Sequence, residues 1–249
     1  MGRLHGKVAF VTGAGGGIGR AICRRFAEEG ACVAASDISL EAATDAIAGL
    51  DPQNTVAIAC DVGNPEEVRN ALDYVVWHFG LLNVLCNVAG GSSLEDKQVT
   101  DAPVEEFWRA IRLDLFGTFL CCKYGLPKMA KAGGGSVINM ASMAAVVALP
   151  GRDCYTAAKG GVVALTRSIA AEYAKDRIRV NAIAPSVTLT PRVTARLAES
   201  AELRKMESTH LLGFLEPLDV AQMAVYLASD ESPRVTGQIL SVDSGATII

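Results

Sequence analysis

The chain has 249 residues, 50% of them hydrophobic and 20% charged, with 23 Lys and Arg against 27 Asp and Glu for a formal net charge of −4. A core of one sizeable domain is therefore affordable in length, while the acidic balance, without any cluster of Lys and Arg, speaks against nucleic acid as a partner. Seven cysteines with no C-x-x-C spacing and only three histidines (His5, His78, His210) exclude a metal site by ligand count.

Met1 to Lys7 is short and polar and leads straight into an apolar run, so no secretion signal is expected. No stretch reaches the ~18 apolar residues of a membrane span. Cys32, Cys60 and Cys86 sit in apolar, strand-like runs and read as reduced core thiols, which predicts a cytoplasmic setting.

The first apolar run, Val8–Val11, is followed by Thr12-Gly13-Ala14-Gly15-Gly16-Gly17-Ile18-Gly19 and then by a helical pattern. Glycines in that position let backbone turn tightly and approach a pyrophosphate, whose charge meets the helix N-terminus. The second run, Ala31–Ser36, leads into Asp37, 18 residues after Gly19. That is close to the ~20-residue spacing at which a carboxylate holds the adenosine ribose. It would repel a 2′-phosphate, and neither Gly16 nor Ile38 offers a positive charge to rescue one, so NAD is the expected cofactor. The alternative for Asp37 is a solvated helix cap.

Thr55–Cys60 is the third run, and Asn64-Pro65-Glu66-Glu67 opens the next helix. Asn83–Asn87 follows. Pro103, with Glu105 and Glu106 behind it, opens a long helix to Lys131, and Gly133-Gly134-Gly135 turns into the run Ser136–Met140. Arg179–Ile183 and Gln238–Val242 complete the set. Apolar runs without alternation, separated by helices, are parallel strands buried on both faces. The prediction is a single doubly wound Rossmann-type α/β domain over 1–249, a seven-stranded parallel sheet with helices on both faces. Between Pro185 and Pro217 only polar helical fragments such as Arg192–Met206 occur, beyond a strand's ligand-binding end. Residues of about 186–216 read as a substrate lid or as a surface excursion.

Tyr155 and Lys159 are four residues apart and share a helix face. A phenol beside an ammonium gives up its proton more readily, and Ser142, after the strand ending near Met140, could hold a substrate oxygen. Taken alone, a Tyr-x-x-x-Lys is commonplace; the serine 13 residues upstream and the glycine loop before both make this one informative.

In these motifs the sequence resembles the short-chain dehydrogenases/reductases, over essentially its whole length. Thr12–Gly19 matches T-G-x-x-x-G-x-G, Asp61-Val62 the pair that brackets adenine, and Asn87-Val88-Ala89-Gly90 the N-N-A-G motif. Asn181–Pro185 leads into the nicotinamide loop, and Val242-Asp243-Ser244-Gly245 is similar to V-D-G-G. The resemblance implies Tyr155 as general acid/base, Lys159 as the group that lowers its pKa and binds the nicotinamide ribose, and Ser142 as the group that orients the substrate oxygen. It implies Thr188 and Thr190 at the nicotinamide end.

Three positions depart from the pattern: Val88 for a second Asn, Ser186 for Gly, and Asp114 for the fourth catalytic residue, an Asn. Should Ser186 need φ > 0, it costs on the order of 1 kcal/mol. Asp114 either takes the Asn's place near Lys159 or is a carboxylate paired locally with Arg112 or solvated. The expected activity is NAD-dependent interconversion of a secondary alcohol and a ketone. A 3-oxoacyl-carrier-protein-type reductase and a non-catalytic dinucleotide-binding regulator are the alternatives. Pocket candidates are Gly91, Ser92, Ser93, Met143, Ala144, Leu149, Arg152 and Cys154; Arg152 is an anion donor or a solvated loop residue. Apolar positions on the helix Pro103–Lys131 and on the helix after Tyr155, which family members pair between subunits, predict a homotetramer.

Overall fold

All seven apolar runs become strands of one parallel sheet in the computed structural model, which describes residues 2–249, the side chain of Glu202 excepted. They are β1 (Val8–Thr12), β2 (Cys32–Asp37), β3 (Thr55–Ala59), β4 (Val84–Asn87), β5 (Gly135–Met140), β6 (Ile178–Pro185) and β7 (Ile239–Val242). The order is β3-β2-β1-β4-β5-β6-β7. The direction of winding therefore reverses at β1 and β4, whose C-terminal ends flank the crevice where such sheets bind ligands.

Side chains alternate across the sheet, and both sides are buried. Ala9, Val11, Val33 and Cys86 face α1 (Gly17–Glu28), α2 (Leu40–Ile47) and, from the far end of the chain, a closing helix (Pro217–Ala228). Phe10, Ala34, Leu85 and Val137 face the opposite layer, built from α3 (Pro65–Phe79) and two further helices described below. Phe10, Phe26, Leu72 and Leu85 are wholly buried, each contributing roughly 1.5–3 kcal/mol of transfer free energy. The α3 helix shows why its start was legible. Asn64 accepts hydrogen bonds from the N–H groups of Glu66 and Glu67, Pro65 fills the first turn, and Gly80 ends the helix at φ 86°.

The long helix expected from Pro103 to Lys131 is not uniform. It consists of α4 (Val104–Ala110), a widened π-helical turn over Ile111–Phe116, and α5 (Gly117–Lys131). The extra residue in that turn rotates Asp114 to face inward, completely buried, and Thr118 donates to the Asp114 carbonyl at 2.8 Å. In the same layer, packed on β6, α6 (Asp153–Tyr173) carries Tyr155 and Lys159.

Residues 186–216 contain no strand of the sheet. They form α7 (Pro191–Glu199), α8 (Ala201–Lys205) and a tight 3-10 turn over Met206–Thr209, before α9 (Pro217–Ala228). A parallel bridge between Thr188 and Leu215 staples the base: Leu189 N–H donates to the Leu215 carbonyl at 2.7 Å, and Leu215 N–H to the Val187 carbonyl at 3.0 Å.

Cys60 and Cys86 are buried free thiols, as expected, whereas Cys32 needs correction: it is only partly buried, its thiol directed at Asn54 Oδ1. Burial pushes the thiols of Cys23 and Cys122 up to about 12. Among the described residues no helix is long and apolar enough to cross a membrane.

Candidate active site

The loop after β1 is pressed against the end of β4. Thr12 Oγ1 accepts from the N–H groups of Val88 and Ala89 at 3.0 and 3.1 Å. Gly13 sits at φ 65°, and a Cβ there would lie 2.8 Å from the Ala89 backbone, so only glycine fits. α1 starts at Gly17 with Gly16 as its N-cap; no side chain caps it and its first turn holds no acidic residue. The N-terminal N–H groups around Gly17, Ile18 and Gly19 thus face the crevice with nothing negative of their own.

Asp37 ends β2 beside this loop. Its Oδ2 accepts from Gly15 N–H at 3.0 Å and its Oδ1 from Ser39 N–H at 3.2 Å. It is not the cap of α2; Ser39 is, accepting from Ala42 N–H. Ile38 next to it is 73% exposed. Asp61 accepts from Gly63 N–H and pairs with Arg112 at 2.7 Å, which removes Arg112 as a local partner for Asp114. Val62 is buried against Gly117. Pro185 closes β6, Thr188 is buried, and Thr190 caps α7 while its methyl group lies against Gly17. A tight glycine cradle, an uncapped helix start and a carboxylate at the end of β2 fit a dinucleotide: pyrophosphate on the loop, ribose on Asp37.

The side chains expected to move the proton converge at the C-terminal end of β5. Lys159 Nζ, buried, donates to the Met140 carbonyl at 2.8 Å, pairs with Asp114 Oδ1 at 2.9 Å and lies 5.6 Å from the centre of the Tyr155 ring. Burial alone would lower the lysine pKa. The Asp114 carboxylate and the Tyr155 phenol outweigh it and hold Lys159 above its ordinary value. Asp114 Oδ1 also accepts from Gly91 N–H at 2.9 Å. Gly90, at φ 150°, passes so close to the carboxylate that a side chain there would collide with it.

Ser142 caps the short turn Met143–Ala145 by accepting from Ala144 N–H at 3.2 Å, which leaves its own O–H free to donate. A residue that sequence reasoning missed holds the start of α6. Asp96, buried in the loop after β4, accepts from Cys154 and Tyr155 N–H at 3.1 and 3.0 Å. Nothing in its sequence surroundings marks it, since its partners lie 58 and 59 residues away.

Other expectations are adjusted. Arg152 is not a free solvated residue: its Nη1 donates to the Ser93 and Asp96 carbonyls. Ser186 carries no positive φ; that conformation falls on Ser244, at φ 52°, where the V-D-G-G motif has glycine. The hydroxyl of Ser186 is buried without a partner. A cleft at the opposite end of the sheet, lined by Ala174, Arg177, Arg179 and Asp230, contains none of these residues.

A family model described as enoyl-(acyl carrier protein) reductase matches residues 13–247. The D-threitol dehydrogenase of Mycolicibacterium smegmatis is 38% identical, over 99% of this chain and 95% of that protein. A 3-oxoacyl-(acyl-carrier-protein) reductase of Thermotoga maritima is 36% identical, over 99% of this chain and all of that protein (100%). The solved structure of a 7α-hydroxysteroid dehydrogenase complexed with NADH and 7-oxo glycochenodeoxycholic acid superposes with a TM-score of 0.90 at 34% identity, covering 98% of this chain and 95% of that one.

Proposed function

The chain belongs to the short-chain dehydrogenase/reductase family of oxidoreductases, and on that premise we propose that it interconverts a secondary alcohol and a ketone with NAD(H). The observation that carries this reading is the buried Lys159, fixed by Met140 and Asp114 with its ammonium 5.6 Å from the Tyr155 ring. When bound, the dinucleotide supplies acceptance of a hydride from the carbinol carbon, or its return to the carbonyl. In the oxidative direction Tyr155 takes the alcohol proton as the hydride leaves, so hydride and proton together balance alcohol against ketone. Lys159 favours the phenolate that accepts the proton, and the free O–H of Ser142 donates to the substrate oxygen. Asp114 is a positioning residue, holding Lys159 on one side and Gly91 on the other. Val88, Ala89 and Gly90 form the floor on which the nicotinamide ribose would rest, with Thr188 and Thr190 at the nicotinamide end.

Asp37 selects NAD over NADP, because its carboxylate lies beside Gly15 and, among the described residues, no basic group pairs with it. The test is a screen of NAD reduction over secondary alcohols, sugars, hydroxysteroids and hydroxyacids. Tight NADH binding with no turnover across that panel would leave a dinucleotide-binding regulator instead. A second reading, reduction of a 3-oxoacyl thioester, is favoured by the likeness to the Thermotoga maritima reductase. It requires turnover of that thioester with a reduced cofactor, and Asp37 weighs against NADPH as that cofactor.

A further inference from the structure

The excursion over 186–216 brings arginines to the mouth of the site. α7 begins where Thr190 touches Gly17, and its first turn lays the Arg192 guanidinium on Gly91, leaving no room for a Cβ there. Gly91 is the residue whose N–H donates to Asp114, the partner of Lys159. Arg196 follows one turn later on the same face of α7. Arg152 enters from the other side, three residues ahead of Tyr155, tethered by one nitrogen to the Ser93 and Asp96 carbonyls.

Among the described residues none of these three arginines has a carboxylate within ion-pair distance. The carboxylates of this neighbourhood are already engaged. Asp114 is held by Lys159, Glu106 by two nitrogens of Arg109 at 2.7 and 2.8 Å, and Asp96 by the N–H groups that open α6. Arg196 accordingly has its pKa lowered, first by burial and then by the fields of Arg192 and Arg152.

We propose that Arg152, Arg192 and Arg196 form an anion subsite at the mouth of the site, which takes a carboxylate or phosphate carried by the substrate away from its reacting carbon. This rests on the oxidoreductase reading above and adds a substrate class to it. Guanidinium groups present planar pairs of donors that match both anions. An anion there removes the mutual repulsion of the arginines and links α7 to the start of α6, whereas a neutral polyol gains neither.

Two measurements test the subsite. Calorimetric titration of the NADH-loaded protein with malonate and with inorganic phosphate reads it without turnover. Wild type is expected to bind at least one of them, and an Arg192→Gln/Arg196→Gln variant to bind about 10-fold or more weakly. In turnover, a hydroxyacid should exceed its methyl ester in kcat/KM by about 10-fold or more in wild type. The double variant should raise KM for the acid, with kcat held within about twofold and the ester unaffected. Failure of wild type to bind either anion, or equal binding by the variant, overturns the subsite. Loss of NADH affinity as large as the loss of anion affinity assigns the arginines to the cofactor pyrophosphate and overturns it as well. Anion binding lost in the variant, with no turnover of any alcohol in wild type, upholds the subsite and sinks the oxidoreductase reading.

Discussion

At the residue scale, the sharpest separation is between holding the cofactor and moving the proton. Tyr155→Phe removes one hydroxyl and keeps the ring, so kcat should fall by ~100-fold or more while NADH affinity stays near wild type. A variant retaining more than about a tenth of wild-type kcat would take Tyr155 out of that role. On the proposed reading Asp37 carries the cofactor choice: kcat/KM for NAD should exceed that for NADP by about a hundredfold, on the order of 3 kcal/mol. Asp37→Ala should narrow the gap, and equal rates with both cofactors in wild type would defeat the argument. Asp114 offsets part of the Lys159 field at Tyr155. Asp114→Asn should stay active with the ascending limb of its kcat/KM against pH moved to lower pH. An unmoved limb, or one shifted upward, would mean that the carboxylate charge does not reach the phenol. Because Lys159 is held above its ordinary value, the stabilisation from this pair is complete below the usual lysine range and fades only as pH rises through the raised value. The Tyr155 and Lys159 pairing was legible because four residues on a helix is a local relation. Asp114 with Lys159, and Asp96 with the start of α6, are bonds between distant parts of the chain that no spacing encodes.

Elements were legible where their ends carry their own chemistry. α3 announces itself through Asn64, Pro65, Glu66 and Glu67, and its cap can be measured. Asn64→Ala should cost about 1 kcal/mol in denaturant unfolding with the m-value unchanged, because two N–H groups lose their acceptor. A loss near zero would show that water replaces the side chain. The strands were legible from their apolar runs, which sit between two helical layers. The π-helical turn over Ile111–Phe116 was not, because its apolar spacing suits an ordinary helix and the partners of the buried Asp114, Lys159 and Gly91, lie far away in sequence. The placement of positive φ at Ser244 and not at Ser186 is similar, since neither serine carries the glycine that would mark it.

For the whole molecule, the reversal of winding at β1 and β4 gathers the glycine loop, Asp37 and the segment Val88–Gly91 at one edge of the sheet. The apolar helix faces extend the reasoning to assembly. Cys122, Val162 and Ile169 turn inward to the core, whereas Phe107, Trp108, Phe116 and Phe119 stay open on α4, the widened turn and α5. Ile248 and Ile249 are exposed at the C-terminal end. Such faces are covered by a partner in symmetric assemblies. Light scattering at micromolar concentration should give the mass of a homotetramer, and a monomer there would refute it. The bridge of Thr188 with Leu215 has a consequence for engineering. It shuts residues 190–214 off as an insert whose two ends meet on one backbone clasp, while the sheet beneath contributes none of its strands to it. Such an insert should be exchangeable as a cassette between relatives, carrying their substrate preference across while the unfolding midpoint of the host stays that of its own sheet.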